Sequence, residues 1–295
     1  MTRPPETYMI EADGHRATFA PSCGGLLFSY DVSGYQVIHC PDDWFTRYPT
    51  AIHFGNPVLF PFASKLAFYD HADVFHWRGT FHRMPQHGFA RHLPWQICDL
   101  RPERIEMTLR SSKLTMVMFP WEFEFVLSYT LKDGALFCEA RVNNRSEEKM
   151  PLHLGFHPYL RTELPHTRYT IIVPEARSLR LLDGRGRPVQ TENRDINLNS
   201  SLSMTRFYED VNPSCFSLLD RETGKAVTLR ASAEFFRHWA VWRPRLDSPF
   251  VCIEPWSAPP NALNSGESLL WVEPGQSQTA LMMIKHESAT DLSQT

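Results

Sequence analysis

Motifs of several well-known enzyme classes are missing from this chain of 295 residues. It contains no Walker loop, no Gly-x-Gly-x-x-Gly segment, no Gly-x-Ser-x-Gly elbow and no His-Glu-x-x-His pair. These segments hold nucleotide phosphates, dinucleotides, a nucleophilic serine and a catalytic zinc, respectively. Their absence argues against nucleotide-dependent, serine-hydrolase and zincin chemistry.

Charge of one sign and long apolar runs are also scarce. Charged residues make up 21% of the chain and the net charge is −3, so no basic surface for nucleic acid or for an anionic membrane is indicated. No window reaches the ~18 apolar residues of a membrane span, and the first residues lack the apolar core of a signal peptide. We therefore expect a cytoplasmic protein, a monomer or homodimer, without nucleic-acid or membrane partners.

Paired cysteines and long helical windows are missing as well. The six cysteines are scattered without any Cys-x-x-Cys spacing, and a chain of this length does not need disulfides, so we expect reduced thiols in the core. The 23 prolines and 14 glycines leave few windows in which a helix of three turns could form. This composition favours strands.

Strand patterns are what the chain has instead. Apolar residues alternate with polar ones over 123–131 and again over 136–142, with Asp133-Gly134 between them, which predicts a hairpin. A turn at 32–34, a second hairpin over 217–229 and a last strand over 278–284 are also indicated. The irregular segment 42–83 predicts loops and short strands. We predict an all-β fold, one large antiparallel β-sandwich over residues 1–290, with a frayed tail at 291–295.

The stretch Gly155-Phe156-His157-Pro158-Tyr159-Leu160 contains the first candidate for chemistry. Proline pushes the preceding residue out of the helical region, so His157 is expected on extended backbone at a strand end. Two further candidates lie far away in sequence, His87 in Gln86-His87-Gly88-Phe89-Ala90-Arg91 and Glu254 in Ile253-Glu254-Pro255-Trp256. We expect the fold to bring all three into one cleft.

Four motifs in order give this chain a family resemblance. Asn56-Pro57-Val58-Leu59-Phe60-Pro61, His87-Gly88-Phe89-Ala90-Arg91, Phe156-His157-Pro158-Tyr159 and Ile253-Glu254-Pro255-Trp256 resemble the successive signatures of the aldose 1-epimerase (mutarotase) family. The match spans roughly residues 55–256. The resemblance implies a galactose mutarotase-like sandwich with a sugar cleft, no cofactor, and exchange of the α and β anomers of an aldose.

The resemblance also implies roles for the three residues. Opening a pyranose requires removal of the C1 hydroxyl proton and protonation of the ring oxygen, so we expect an acid and a base on opposite sides of one C–O bond. Glu254 is expected to be the base and His157 the acid. His87 is expected to hold the ring oxygen, an adjacent hydroxyl or the aldehyde oxygen in place.

Three more residues are expected to bind substrate. Arg91 could pair a carboxylate, orient Glu254 or reach a substrate phosphate, because its fork binds oxygens bidentately. Lys65 stands where many family members carry Asn-Arg, so the hydroxyl that it contacts is in doubt. The sugar-binding aspartate is best matched by Asp210, with Glu209 and Asp220 as alternatives.

Other functions stay open from the sequence alone. A hexose-6-phosphate 1-epimerase is similar around residues 84–91, but the entry motif reads Gly55-Asn56-Pro57 and few cations are available for a phosphate. A non-catalytic sugar-binding protein would keep the cleft and lose turnover. Two histidines and a glutamate are also a metal-ligand set, but none of their spacings is a familiar zinc motif and the family resemblance implies no metal.

Overall fold

The fold is almost entirely antiparallel strands. The structure, a computed structural model, describes residues 4–174, 181–182, 188–189, 195–198 and 204–294. The strands of the first half are β1 (Tyr8–Ala12), β2 (His15–Ala20), β3 (Leu26–Val32), β4 (Tyr35–Gln36), β5 (Val58–Leu59), β6 (Ala67–Phe68), β7 (His71–Ala72), β8 (Val74–Trp77), β9 (Thr80–Arg83), β10 (Gln96–Arg101), β11 (Arg104–Arg110), β12 (Phe123–Lys132) and β13 (Ala135–Asn144). Those of the second half are β14 (Met150–Leu152), β15 (Gly155–Phe156), β16 (Tyr159–Arg161), β17 (Tyr169–Ile172), β18 (Leu181–Leu182), β19 (Pro188–Val189), β20 (Ile196–Asn197), β21 (Met204–Tyr208), β22 (Cys215–Asp220), β23 (Lys225–Ala231), β24 (His238–Arg243), β25 (Phe250–Trp256), β26 (Leu270–Val272) and β27 (Ser277–Ser288).

Helices are few and short, as the proline and glycine content predicts. The described α-helices are α1 (Trp44–Arg47), α2 (Lys113–Met118) and α3 (Ala262–Ser265), and the described 3-10 helices are Ala90–His92, His166–Arg168 and Ala289–Gln294. Across the described part of the chain, no helix has the length and apolar character needed to cross a membrane.

Two large sheets form the sandwich. One has nine strands in the order β10-β11-β12-β13-β27-β23-β22-β17-β20. The other has the order β19-β18-β21-β24-β25-β15-β5, with β16 also paired to β25. A four-stranded sheet, β1-β2-β3-β4, precedes them in sequence. The predicted all-β antiparallel sandwich of a single domain is therefore confirmed.

The local strand predictions hold in detail. β12 and β13 pair from Phe123 opposite Asn144 to Lys132 opposite Ala135, and the turn between them has positive φ at Asp133 and Gly134. Asp-Gly suits this turn because both central residues need left-handed backbone. The turn at 33–34, the hairpin β22–β23, the last strand β27 and the short strands in 42–83 are also present.

The hydrophobic core lies between the two large sheets and fixes which way each strand faces. Phe125 and Leu127 of β12 and Val251 and Ile253 of β25 all belong to one buried cluster. Because side chains alternate along a strand, the even-numbered residues of β25 must lie on the opposite face of their sheet. That outer face carries the candidate site.

Candidate active site

Glu254 lies on the outer face of the eight-stranded sheet. Its register partner on the neighbouring strand β24 is Ala240. The side chain is nevertheless only 2% exposed, because other side chains cover this part of the sheet. The carboxyl group is thus held in a rigid position on a central strand.

His157 reaches Glu254 from the adjoining chain segment. It lies between β15 and β16, both of which pair with β25, and its backbone N–H donates to Pro57 O at 3.1 Å. Its ring stacks on Tyr159 with centroids 4.7 Å apart and planes at 15°. Nε2 of His157 lies 3.3 Å from Oε1 of Glu254. The structure therefore places the predicted acid and the predicted base in direct contact.

The second oxygen of Glu254 is held by Trp256. The indole Nε1–H donates to Oε2 at 3.2 Å, and Trp256 lies two residues further along the same face of β25. Gly155 is its register partner, and a Cβ at residue 155 would lie 2.8 Å from Cδ1 of the indole. A glycine is needed there to leave room for the ring that orients the carboxyl group.

Burial determines how the His157–Glu254 pair is protonated. It raises the pKa of Glu254 well above its usual value, against the opposing effects of the Trp256 N–H and the Arg91 charge. It also lowers the pKa of His157 to about 3, and the Arg91 charge acts in the same direction. The pair thus holds one proton at neutral pH, and burial favours a carboxylic acid hydrogen-bonded to a neutral imidazole over a separated ion pair.

His87 is held beside the pair in one tautomer. Its ring centroid lies 5.3 Å from that of His157, with the planes at 82°. Its Nδ1 accepts the backbone N–H of Ser64 at 3.0 Å, so the ring proton must be on Nε2. Burial, followed by the charge of His157, lowers the pKa of His87 well below its ordinary value. The side chain is a neutral hydrogen-bond donor, in keeping with the positional role predicted for it.

The backbone around His87 has an unusual shape that local sequence explains in part. Both His87 and Gly88 have positive φ, 66° and 74°. A Cβ at residue 88 would lie 2.2 Å from Phe60 O, so the glycine permits this close approach. Nε2 of His87 faces the side-chain amide of Gln86 at 3.1 Å. Since Nε2 carries the proton, the amide must present its oxygen.

Arg91 is a further predicted residue that lies close enough to the pair to act on its charge. It lies partly buried in the 3-10 helix Ala90–His92, and its Nε donates to Nε2 of His92 at 3.3 Å. Its charge lowers the pKa values of Glu254, His157 and His87. The structure shows this electrostatic effect on Glu254, whereas pairing a carboxylate, orienting Glu254 and reaching a substrate phosphate stay predictions.

Lys65 and Asp210 lie further out. Lys65 is exposed and follows Ser64, the residue whose N–H binds His87. Asp210 is exposed, has a positive φ of 52° and is paired with Arg237. Substrate binding by Lys65 and by Asp210 stays a prediction.

The two alternatives to Asp210, Glu209 and Asp220, differ in their position relative to Glu254. Glu209 is buried and lies two residues beyond Phe207, which is opposite Ala240 and on the Glu254 face. Alternation along β21 therefore favours Glu209 as a carboxylate on this face. Asp220 lies on β22 of the other large sheet and pairs with Arg168 at 2.9 Å, which removes it from the site.

Comparisons with known proteins agree with this geometry. The sequence matches a family model described as aldose 1-epimerase over residues 6–282. The chain belongs to the aldose 1-epimerase family. The solved structure of the Slr1438 protein from Synechocystis sp. PCC 6803 superimposes with a TM-score of 0.88 at 30% identity, covering 97% of each chain. A galactose mutarotase-like protein from Lactobacillus casei ATCC 334 has a TM-score of 0.82 at 21% identity, covering 96% of this chain and 100% of that one.

Curated relatives of this family member share less sequence identity with it than the Slr1438 protein does. The chromosomal LacX protein of Lactococcus lactis subsp. lactis is 26% identical over 236 residues, which cover 72% of this chain and 77% of LacX. The uncharacterized protein YihR of Escherichia coli K12 is 22% identical and covers 92% of this chain and 90% of YihR. These relatives support the family and leave the substrate to be argued from the site.

One geometric expectation for the aldose 1-epimerase site is wrong. The acid and base were expected on opposite sides of a C–O bond, but the 3.3 Å contact between His157 and Glu254 leaves no room for a sugar between them. The two groups instead lie side by side, so both would have to act from one side of a bound sugar. The ring oxygen and the C1 hydroxyl oxygen are bonded to the same carbon, so a sugar lying over the pair can present one oxygen to each residue.

Sequence reasoning missed several neighbours of the pair. Trp242, opposite Cys252 in the register, lies with its ring 5.8 Å from that of His157. The ring of His53, an exposed residue, lies 5.6 Å from the Trp242 ring. Together they provide an aromatic border to the site. The pairing of β24 with β25 brings the Trp242 ring to the site, and no local sequence pattern indicates this position.

A sulfur atom, that of Cys252, lies next to the nitrogen of His157 and the oxygen of Glu254, and all three are possible metal ligands. Donor atoms of His157, Cys252 and Glu254 all lie within 4.8 Å of one another, and all three residues are buried. Cys252 was expected to be a reduced core residue, and it is a free thiol with no exposed surface. The cluster combines nitrogen, sulfur and oxygen donors.

Proposed function

We propose that this protein is an aldose 1-epimerase that interconverts the α and β anomers of a free hexose such as glucose or galactose. The observation that carries the proposal is the buried contact between His157 Nε2 and Glu254 Oε1 at 3.3 Å, beside the neutral donor His87. Membership of the family supports the same conclusion.

The proton arrangement accounts for ring opening. With its proton on His157, the pair has a carboxylate to take the C1 hydroxyl proton and an imidazolium to protonate the ring oxygen. The C1–O5 bond then breaks to give the aldehyde, and the pair is left as a carboxylic acid and a neutral imidazole. The proton count of the pair is unchanged. Each transfer of this kind is typically worth about 10² to 10⁴ in rate.

The electrostatics of the site suit the second half of the reaction. Burial favours the neutral form of the pair, which is the form present while the open chain is bound. Rotation about C1–C2 presents the other face of the aldehyde, and the same two groups then close the ring in reverse. His87 Nε2–H holds the aldehyde oxygen once the substrate displaces the Gln86 side-chain amide, which accepts this proton in the free site.

A free sugar is the substrate that the charged residues favour. A phosphate needs two or three converging cations, whereas Lys65 is exposed and the charge of Arg91 acts on the catalytic pair. A hexose-6-phosphate 1-epimerase and a non-catalytic sugar-binding protein are the rival functions. Each predicts a different substrate profile.

Polarimetry on freshly dissolved sugars tests the proposal. We expect faster decay of optical rotation for α-D-glucose or α-D-galactose than for glucose 6-phosphate, and loss of nearly all activity in Glu254→Gln. Glu287→Gln is the control, because Glu287 is also buried but pairs with Lys285 on β27. Acceleration of glucose 6-phosphate alone would support the phosphate branch, and saturable binding without acceleration would support a binding protein.

A further inference from the structure

We propose that His157, Cys252 and Glu254 form a binding site for a thiophilic divalent cation such as Zn²⁺, and that the bound ion inhibits the enzyme. The site is defined by three donors on two adjoining segments. Cys252 and Glu254 share one face of β25, and the register pairs Cys252 with Tyr159, the residue on which His157 stacks. The donor atoms lie within 4.8 Å of one another.

The spacing of these donors is close to that of a zinc site. Ligands at the usual Zn–N, Zn–O and Zn–S distances around a tetrahedral ion are about 3.4 to 3.6 Å apart. The His157–Glu254 pair, at 3.3 Å, already has this separation. The Cys252 sulfur needs to approach by no more than about 1.4 Å to complete the set.

The donor types select the metal. Thiolate with imidazole favours zinc and its neighbours over magnesium and calcium, which prefer oxygen donors. Three protein ligands leave a fourth position for water. His87 does not fill that position, because its Nδ1 accepts from Ser64 and its Nε2 carries the ring proton.

A neighbouring residue already orients one of the ligands. Trp256 donates to Oε2 of Glu254 and leaves Oε1 directed at His157. Hydrogen bonds of this kind to a metal-bound carboxylate usually strengthen a site. The geometry is therefore partly organised before an ion arrives.

Binding of the divalent ion releases two protons from the site. The free site holds one proton shared by His157 and Glu254 and one on the Cys252 thiol, and the divalent ion replaces both. With the acid's nitrogen and the base's oxygen bound to the ion, neither group can transfer a proton. The metal site depends on the geometry alone, whereas the inhibition rests on the proposed function.

Cobalt absorption spectroscopy tests the site directly. In chelator-treated protein carrying Cys98→Ser, which removes the exposed thiol, one equivalent of Co²⁺ should give a thiolate charge-transfer band that Zn²⁺ abolishes. Adding Cys252→Ala should weaken Co²⁺ binding at least about a hundredfold and remove the band, since even outer-shell changes cost 10- to 100-fold. Adding Cys138→Ala is the matched control, because that thiol is equally buried but lies in the main core.

The outcomes separate the two proposals. Zn²⁺ should inhibit anomerisation by the wild type, and Cys252→Ala should stay active and resist inhibition. No band in the wild-type site, or a band that persists in Cys252→Ala, overturns the metal site whatever the activity. A band without anomerisation keeps the site and rejects the function. Cys252→Ser, which preserves volume, replaces the alanine variant if that variant does not fold.

Discussion

The indole N–H of Trp256 donates to Oε2 of Glu254 at 3.2 Å, from a position two residues further along β25. This bond lowers the pKa of Glu254 against the larger opposite effect of burial. A residue that first suggests sugar stacking or core packing therefore also controls the proposed base.

Replacing Trp256 by phenylalanine should slow anomerisation and shift its pH dependence. Loss of a hydrogen bond to a carboxylate costs about 1.5 to 3 kcal/mol, which corresponds to about 10- to 100-fold in kcat/KM. Without the donor the pKa of Glu254 rises further, so the basic limb of the pH–rate profile, where the pair loses its one proton, should move to higher pH. Trp239→Phe, which loses an indole bond to Ser214 in the core, is the control and should leave that limb unchanged.

Substitution His87→Asn should lower activity without moving either limb of the profile. His87 stays neutral because Ser64 occupies its Nδ1, so its loss removes a donor and no titrating group. We expect kcat/KM to fall about 10-fold or more, in line with a lost hydrogen bond in the transition state. Asparagine tolerates the positive φ at this position. A shift of either limb of the pH–rate profile in His87→Asn would instead make His87 a proton carrier. His82→Asn serves as the control.

Adding one methyl group at Gly155 should disturb the pair indirectly. A Cβ there would lie 2.8 Å from Trp256 Cδ1 and 3.2 Å from Pro255 O, so Gly155→Ala must displace the indole. We expect about 1 to 3 kcal/mol of destabilisation in denaturant unfolding, together with reduced activity. Gly224→Ala, in a surface turn with open space around it, should cost stability through backbone strain alone and keep full activity.

The protein should lose stability as the pH falls below about 6.5, because buried histidines are neutral when folded. Burial, with a smaller contribution from His238, lowers the pKa of His153 to about 3. The unfolded chain therefore binds a proton that the folded chain excludes between about pH 6.5 and pH 3, and stability present above this window is lost within it. His153→Leu should reduce the slope of unfolding free energy against pH by about 1 kcal/mol per unit. An unchanged slope in chemical denaturation would contradict this account.

The local parts of the fold follow from neighbouring residues. Alternation over 123–142 and the Asp133-Gly134 turn determine the β12–β13 hairpin, because side-chain period and left-handed turn residues act over a few positions. The motif strings around His157 and Glu254 likewise indicate the family and the two reactive groups.

The distances and charges of the site depend on contacts between distant segments. The register of β15, β16 and β25 places His157 against Glu254, and packing over the outer face removes water from both. Hence the side-by-side arrangement of acid and base, the neutral form of the pair and the approach of Cys252 could not be predicted. The exposure of Lys65 also depends on contacts between distant segments and could not be predicted.

The sequence by itself determined the strand-rich architecture, the family and the two candidate reactive residues, His157 and Glu254, because these depend on local pattern and residue type. Only the tertiary structure decided that the two groups share one proton, that Trp256 orients the carboxyl group and that a thiol adjoins them. The physical reason is that protonation and orientation respond to burial and to neighbours brought together by strand pairing, which no single stretch of chain specifies.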